Sequence, residues 1–345
     1  TLQKIKKIIP VYIQLHCYFN MSKAHPQILT TREHLLSRQF TSSTATSTGP
    51  FKKVLIANRG EIAIRIAKAA AGLNIPTLSI YSGEDASALH ASVTSESVQI
   101  SSSNKDMIPY LDIEEVIQIA KTNSCDCIHP GYGFLSENFD FVKRCEEEGL
   151  KFIGPTSTTI NMFGSKVKAK ALAKSVNVPV VDGSENALKN YKEAAALIKN
   201  NGNINFPVML KASFGGGGKG MRIVENENDL EESFMSCQRE AEAAFGNGDI
   251  FVEQYITSPQ HIEVQILADS KGNIVHLFER DCSVQLRNQK VMEIAPAPNL
   301  SEEIRANMLQ DAIKVAEAAN YVNAGTVEFL YSPESKQYFF IEVNP

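Results

Sequence analysis

The sequence predicts an α/β protein of two domains: a doubly wound parallel sheet, then a domain built around a glycine-rich strand–loop–strand flap. Three observations predict it. Short apolar runs alternate with amphipathic segments from Lys53 to Pro155, the order that gives βαβ units and a parallel sheet. Between Pro207 and Val224, two strand-like runs flank Gly215, Gly216, Gly217, Gly218 and Gly220. The length, 345 residues, exceeds what one hydrophobic core usually serves.

The first domain reads in order. Residues 54–57 are a short apolar run, a buried strand. Residues 61–73 carry Ile62, Ile66, Ala69 and Leu73 at helical spacing. A strand over 77–81, a helix over 113–120 and a strand over 125–128 follow, the last ending at His129-Pro130-Gly131. A helix over 139–148 and the run 151–155 close the unit. Its first turn, Asn58-Arg59-Gly60-Glu61, lacks the spaced glycines that let a backbone approach a pyrophosphate. A dinucleotide site is therefore not expected there.

Bulk properties exclude several classes. The net charge is -5, with acids and bases mixed, which argues against a nucleic-acid partner held by a basic field. No apolar run reaches 18 residues, so no transmembrane helix is expected. The six cysteines have neither zinc-ligand spacing nor the density of a disulfide scaffold. Reduced structural thiols in a reducing compartment are the expectation.

Residues 1–50 hold one acid, Glu33, against Lys4, Lys6, Lys7, Lys23, Arg32 and Arg38, before the run Thr41-Ser42-Ser43-Thr44. That composition is of a mitochondrial transit segment, with 37–41 as a processing-like stretch. A tail without an address is the alternative. A secretory leader is disfavoured because Pro10, Gln14 and His16 interrupt the apolar stretch and no small-residue cleavage site follows. Met21 is expected to be the initiator.

In the second domain the run Gly215-Gly216-Gly217-Gly218-Lys219-Gly220 sits between strands. It is not a dinucleotide turn, which needs a following helix, and not a P-loop, because Gly220 follows Lys219. A flap whose N–H groups wrap phosphates remains. Lys211, at the end of an apolar strand, wants an anionic partner such as phosphate; a surface hairpin with a snorkelling lysine is the equal alternative.

Two strands over 326–330 and 338–344 form a hairpin. Pairing symmetric about Ser335 sets Glu328 opposite Glu342, with Asn344 on the same face and Val327, Phe329, Ile341 and Val343 on the other. Facing carboxylates repel, and a hard cation such as Mg²⁺ or Mn²⁺ relieves that. His261, Glu263 and Gln265 alternate with Ile262, Val264 and Ile266 ahead of the charged stretch 279–290. A polar cleft is expected there, against a solvated loop as the plainer alternative.

Residues 52–345 resemble the biotin carboxylases, a branch of the ATP-grasp enzymes. The motifs that carry the resemblance are Ile56 to Ala63, His129 to Asn138, the flap from Lys211 to Met221, Glu279 to Ser283, and Phe340 to Pro345. The resemblance implies a leader over 1–50, a Rossmann-like N-terminal domain over 51–164 and an incomplete ATP-grasp domain over 165–345. It implies that ATP phosphorylates bicarbonate and that the resulting CO2 carboxylates N1 of biotin on a carrier domain.

By matching positions, Lys166 and Lys211 contact ATP phosphates, and Gly215, Gly216, Gly217, Gly218 and Met221 belong to the closing flap. Glu253 and Ile256 hold the adenine. His261, Gln285 and Asn288 line the nucleotide. Lys290 approaches bicarbonate. Glu328, Glu342 and Asn344 hold Mg²⁺ or Mn²⁺. A homo-oligomer and the mitochondrial matrix, or alternatively the cytoplasm, are the implied assembly and place.

The sequence departs from the family pattern at Ser165, Lys219, Gln254 and Asn288, where the family has aspartate, arginine, lysine and histidine. The family pattern also continues past Asn344-Pro345 with an arginine and a catalytic base. A chain ending at Pro345 is therefore expected to bind MgATP poorly or not at all and not to complete carboxylation. Ala244 to Gly248, His276 to Gln285 and Asn344-Pro345 lean towards the branch that carboxylates pyruvate. The biotin carboxylase subunits of propionyl-CoA, methylcrotonyl-CoA or acetyl-CoA carboxylases are the alternative. A non-catalytic reading, an inactive fragment or a regulatory partner docked on intact subunits, stays open; MgATP binding without turnover would mark such a partner. An ATP-grasp ligase for an amino acid or amine is disfavoured by the stretches 129–138 and 279–283.

Overall fold

The computed structural model describes residues 51–102, 104, 106–212, 220–286 and 289–345. The transit-like leader and Met21 lie outside them, as do Gly215, Gly216, Gly217, Gly218, Lys219 and Asn288. The chain divides into two compact units, the first running to Ile160 and including Asp269–Asn273, the second made of Asn161–Ala268 and Ile274–Pro345.

The first unit contains β1 (Val54–Ile56), α1 (Gly60–Gly72), β2 (Thr77–Tyr81), β3 (Glu96–Gln99), α2 (Ile113–Thr122), β4 (Cys127–His129), α3 (Phe139–Glu147) and β5 (Lys151–Phe152). The sheet runs β3-β2-β1-β4-β5, and every pair is parallel. β1 and β4 are buried along their length and β2 at all but Tyr81, as a sheet covered on both faces requires. The strand absent from the sequence reading is β3. Its side chains are mostly exposed, so it carries no apolar pattern and is held by pairing to β2.

The stripe that α1 buries is Ile62, Ala63, Ile66, Ala67 and Ala70, rather than one running through Ala69 and Leu73. Helix starts follow capping chemistry: the Asp112 carboxylate accepts the Glu115 N–H at 3.2 Å and the Asn138 amide oxygen accepts the Phe141 N–H at 2.9 Å.

The turn after β1 acts as a tie. Buried Asn58 donates from Nδ2 to the carbonyls of Pro130 at 2.7 Å and Tyr132 at 2.8 Å, and its Oδ1 accepts the Arg59 N–H at 2.9 Å. Gly131 must be glycine here. Its φ is +69°, and a Cβ would lie 2.6 Å from the Asn58 amide nitrogen. Gly131→Ala is expected to cost about 2 kcal/mol or more through strain and a broken tie; denaturant melts would check it, and a neutral result would mean the loop re-forms freely.

The second unit opens with the rest of α4 (Ser157–Gly164), then α5 (Lys166–Ser175) and α6 (Tyr191–Asn200). Ser165 N-caps α5 by accepting the Lys168 N–H, a duty serine and aspartate share. A three-stranded antiparallel sheet follows: β6 (Val208–Ala212), β7 (Met221–Val224) and β8 (Ile250–Gln254), in the order β7-β6-β8. β6 and β7 are the two arms of the expected strand–loop–strand hairpin. Val208, Leu210 and Ala212 pack with Phe234, Cys237 and Ala241 of α7 (Leu230–Phe245).

The second sheet of this unit has five antiparallel strands in the order β11-β10-β9-β12-β13: β9 (Gln260–Ala268), β10 (Ile274–Leu286), β11 (Gln289–Ile294), β12 (Asn323–Ser332) and β13 (Gln337–Asn344). Its apolar face packs on α5 and on α8 (Glu302–Ala318), with Ile262, Val264, Ile266, Val327 and Phe329 in one core. The opposite face is therefore left to polar side chains.

One expectation fails on this sheet. Ile341 was placed on the core face with Val343, but the core takes Phe340 and Val343 while Ile341 is only half-buried. A bulge between Glu328 and Phe329 explains it: Glu328 faces Glu342, whereas Phe329 faces Phe340. The extra residue shifts the alternation of β13 by one.

Candidate active site

Two clusters of charge stand in the second unit. The first follows from alternation along β6. The apolar face takes Val208, Leu210 and Ala212, so Lys211 points the other way. Pairing sets Lys211 against Phe251 and Met209 against Glu253, which makes Lys211 and Glu253 diagonal neighbours. Their Nζ and Oε2 are 2.5 Å apart. The other oxygen, Oε1, contacts Lys170 Nζ from α5. The lysine expected to want an anionic partner has a carboxylate one, which neither the phosphate nor the snorkelling reading named.

Lys166, Lys170, Lys174, Lys211 and Glu253 line a cavity of about 300 Å³. Burial pushes the Glu253 carboxyl up, but the Lys211 and Lys170 ammonium groups outweigh it and hold the group at about 2. Burial lowers Lys170 from the usual lysine range, although Glu253 opposes this. The segment beside β8 closes on it through the Ser184 N–H to the Val252 carbonyl and the Gln254 N–H to the Asp182 carbonyl, both 2.8 Å. Gly183 permits that approach, since a Cβ there would sit 2.5 Å from the Val252 carbonyl.

The second cluster lies on the polar face of the five-stranded sheet. Register sets Arg280 beside Glu263, Glu263 beside Glu328, and Glu328 beside Glu342. The facing pair Glu328–Glu342 is as expected; Glu263 makes it a row of three. Lys290 sits on this row, its Nζ donating to Glu263 Oε2 at 2.5 Å and Glu328 Oε1 at 2.6 Å. Arg280 Nε donates to Glu263 Oε1 at 2.5 Å.

His261 Nε2 donates to Glu328 Oε2, and Gln285 Nε2 donates to His261 Nδ1 at 3.1 Å. Asn344 Nδ2 donates to Glu328 Oε1 at 2.5 Å. Burial raises the Glu328 carboxyl, but the His261 hydrogen bond and Lys290 outweigh it and bring the group to about 2. Burial lowers the Lys290 ammonium, but Glu263 and Glu328 outweigh it and raise the group well above the usual range. Over its described residues the charged stretch from Glu279 is strand rather than loop, to Leu286 and again from Gln289, the second strand exposed along its length.

The structure thus brings Lys166, Lys211 and Glu253 to one cavity, and His261, Gln285, Lys290, Glu328 and Asn344 into one hydrogen-bonded network, with Glu342 across from Glu328. Met221 faces Lys211 from β7. Ile256 is half-buried in the loop after β8. The Gln254 side chain accepts the Asn205 N–H at 2.7 Å and donates to the Pro207 carbonyl at 3.2 Å, stapling that loop.

Sequence reading missed Lys170, named Arg280 only within the charged stretch, and named Glu263 only as part of a polar face. The signal for Lys170 was its four-residue spacing from Lys166, which stacks both on one helix face. Arg280 and Glu263 needed the strand register.

The donor set has the oxygen chemistry that a hard cation takes, but both Glu328 oxygens are already bonded, Oε1 to Lys290 and Asn344 and Oε2 to His261, so a cation there would have to displace one of them. Glu328 and Glu342 offer facing carboxylates beside the Asn344 amide, and among the described residues none is hydrogen-bonded or ion-paired to Glu342. Among the described residues, the group Glu263, Cys282 and Glu293 also has metal-ligand proximity, but Glu263 is taken by Arg280 and Lys290, and burial pushes the Cys282 thiol up to about 12.

Comparison with known proteins matches both units. The family profile described as biotin carboxylase, N-terminal domain, matches residues 50–160. The profile described as carbamoyl-phosphate synthase L chain, ATP binding domain, matches residues 165–345. A pyruvate carboxylase of Staphylococcus aureus is 53% identical over 294 residues, which are 85% of this chain and 25% of that protein. The chain therefore spans about a quarter of the length of that relative.

Among solved structures, Campylobacter jejuni biotin carboxylase in a β-γ-ATP complex superposes with a TM-score of 0.80 at 44% identity, over 85% of this chain and 65% of that one. The biotin carboxylase domain of Hydrogenobacter thermophilus 2-oxoglutarate carboxylase, bound to MgADP, ADP and bicarbonate, gives 0.79 at 43% identity, over 85% and 64%. With an α/β first unit, an ATP-grasp second unit and both profiles in order, the chain belongs to the biotin carboxylase family.

Proposed function

We propose that this chain carries the ATP- and bicarbonate-dependent carboxylation of biotin on a carrier domain, as the first half-reaction of a pyruvate carboxylase. The observation that carries the reading is the row Glu263–Glu328–Glu342 with Lys290 and Asn344 on one polar face, where Glu263 and Glu328 are buried. Three carboxylates in register repel and would destabilise the sheet unless the face exists to hold cations.

In this reading residues 51–164 are the N-terminal domain and 165–345 the ATP-grasp domain. Lys166 and Lys211 bind phosphate oxygens, and Gly215 to Gly218 with Met221 close over them. Glu253 and Ile256 hold adenine, while His261, Gln285 and Asn288 line the nucleotide. Lys290 holds bicarbonate close to the γ-phosphate, where a bicarbonate oxygen displaces ADP to form carboxyphosphate. That product releases phosphate and CO2, and CO2 bonds to N1 of biotin as the N1 proton passes to the released phosphate.

Mg²⁺ or Mn²⁺ held by Glu328, Glu342 and Asn344 would screen the charge spreading over the transferred phosphoryl group. The lysines add to that stabilisation from fixed positions, so little reorganisation is needed as charge develops.

A biotin carrier domain is the partner, a homo-oligomer the assembly, and the mitochondrial matrix the place, the last supported by the composition of residues 1–50. Among the described residues no helix is long and apolar enough to cross a membrane. Similarity to pyruvate carboxylases supports pyruvate over an acyl-CoA as final acceptor. The test is transfer of labelled bicarbonate in protein expressed from the full coding sequence. MgATP-dependent label on biotin, discharged by pyruvate, is expected. Discharge by an acyl-CoA instead would move the chain to the acyl-CoA branch, and no label on biotin would end the reading.

A further inference from the structure

Lys170 has no role in the assignments above, yet it is one of two cations on a single nearly buried carboxylate. Its side chain is 23% exposed, that of Lys211 22%, and that of Glu253 10%. Lys170 is on the α5 face that also carries Lys166 and Lys174 into the cavity. The adjoining flank of α5 is anchored by fully buried Ala169 and Ala173, so the lysine stems are delivered from a fixed helix.

The arrangement poses a conflict. Lys211 cannot grip a nucleotide phosphate at full strength while it is bonded to Glu253, and leaving Glu253 without a cation would strand a buried charge, which is strongly unfavourable. A second cation already seated on the other carboxylate oxygen resolves it.

We infer that Lys170 is a positioning residue that keeps Glu253 neutralised while Lys211 transfers from Glu253 to the nucleotide phosphates. The inference rests on the nucleotide-binding reading of this cavity. Glu253 then acts as a stand-in anion that orders Lys211 before nucleotide arrives. Lys170 lowers the cost of breaking that contact. No covalent step is involved, only an exchange of partners by one ammonium group.

The test is equilibrium binding of MgADP and of adenosine to protein expressed from its full coding sequence, in Lys170→Met, Lys170→Arg, Glu253→Gln and Lys170→Met/Glu253→Gln variants. Lys170→Met should weaken MgADP by about tenfold, the worth of one charge-assisted hydrogen bond. Adenosine, with no phosphate to draw Lys211 away, should bind within about twofold of wild type, inside the scatter of additive effects. Lys170→Arg should restore MgADP binding. In the Glu253→Gln background, Lys170→Met should have no further effect, because the carboxylate it neutralises is gone.

A purely structural role for Lys170 would weaken adenosine and MgADP alike and would persist in the Glu253→Gln background; either result overturns the inference. So does unchanged MgADP binding in Lys170→Met. If wild type itself binds no MgADP, or Lys211→Met binds it as wild type does, the nucleotide reading of the cavity fails and takes the inference with it.

Discussion

Replacing Lys290 with methionine should abolish turnover and destabilise the fold at once. Lys290 is the cation shared by Glu263 and Glu328, at 2.5 and 2.6 Å. On the proposed mechanism it also faces bicarbonate, so its loss should lower kcat by about 10³-fold, the scale of removing a fixed electrostatic group from a phosphoryl or acyl transfer site. In buffer free of divalent ions, breaking this largely buried pair should cost about 3 kcal/mol.

The pH dependence follows from the carboxylate. Glu328 is held at about 2 in the fold, below its unfolded value of about 4.3. A depressed carboxyl contributes stability that is present above the unfolded value and lost as pH falls towards the folded one. The gap between wild type and Lys290→Met should therefore be full at neutral pH and shrink from about pH 4 downwards. Glu253, also held at about 2, adds acid lability in the same window but should do so equally in both proteins. Chemical denaturation of the two proteins between neutral and acid pH measures this. A gap that stays constant with pH would mean Lys290 acts through packing rather than charge.

The largest effect on stability alone is expected at Arg305. Glu279 is 1% exposed in its side chain, and its Oε1 accepts Arg305 Nε at 2.8 Å and the Ala297 N–H at 3.2 Å. Arg305 also donates from Nη2 to the Ala297 carbonyl at 3.0 Å. One guanidinium thus joins α8, β10 and the loop that leaves β11. The other oxygen of Glu279 has no hydrogen-bond partner among the described residues, so the carboxylate depends heavily on this pair.

Arg305→Met should cost about 3–5 kcal/mol, the price of an uncompensated buried charge. Adding Glu279→Gln should recover most of that, because the charge is removed along with its partner. A cost below about 1 kcal/mol for Arg305→Met would place this contact with exposed ion pairs.

Much of this architecture was legible in the residues, and the failures have physical causes. Alternation of Ile262, Val264 and Ile266 with His261, Glu263 and Gln265 identified both the strand and its polar face, because period-two patterning survives wherever one face is buried. The hairpin register that opposes Glu328 to Glu342 was also readable. The bulge that puts Phe340 rather than Ile341 in the core was not, since nothing local in 338–344 marks an inserted residue. β3 was missed because an exposed edge strand has no apolar signature.

The site was legible in its motifs but not in its pairings. Lys211 looked like a cation in search of a phosphate, because the carboxylate that satisfies it comes from β8, 42 positions along the chain (253 − 211). Lys170 carried no motif at all, only its spacing on a helix. Glu263 became part of the acidic row only when β9 was seen to lie between β10 and β12. Each of these is a long-range contact, which residue patterns along one element do not encode.

The central claim is that the acidic row and its lysine serve phosphoryl transfer from ATP to bicarbonate. The most direct measurement is ATP hydrolysis with and without bicarbonate, comparing protein from the full coding sequence with its Glu328→Gln variant. The predicted result is hydrolysis that requires bicarbonate and a divalent cation, and that falls by about 10²-fold or more in the variant. Hydrolysis that proceeds equally without bicarbonate, or that is unaffected by Glu328→Gln, would contradict it.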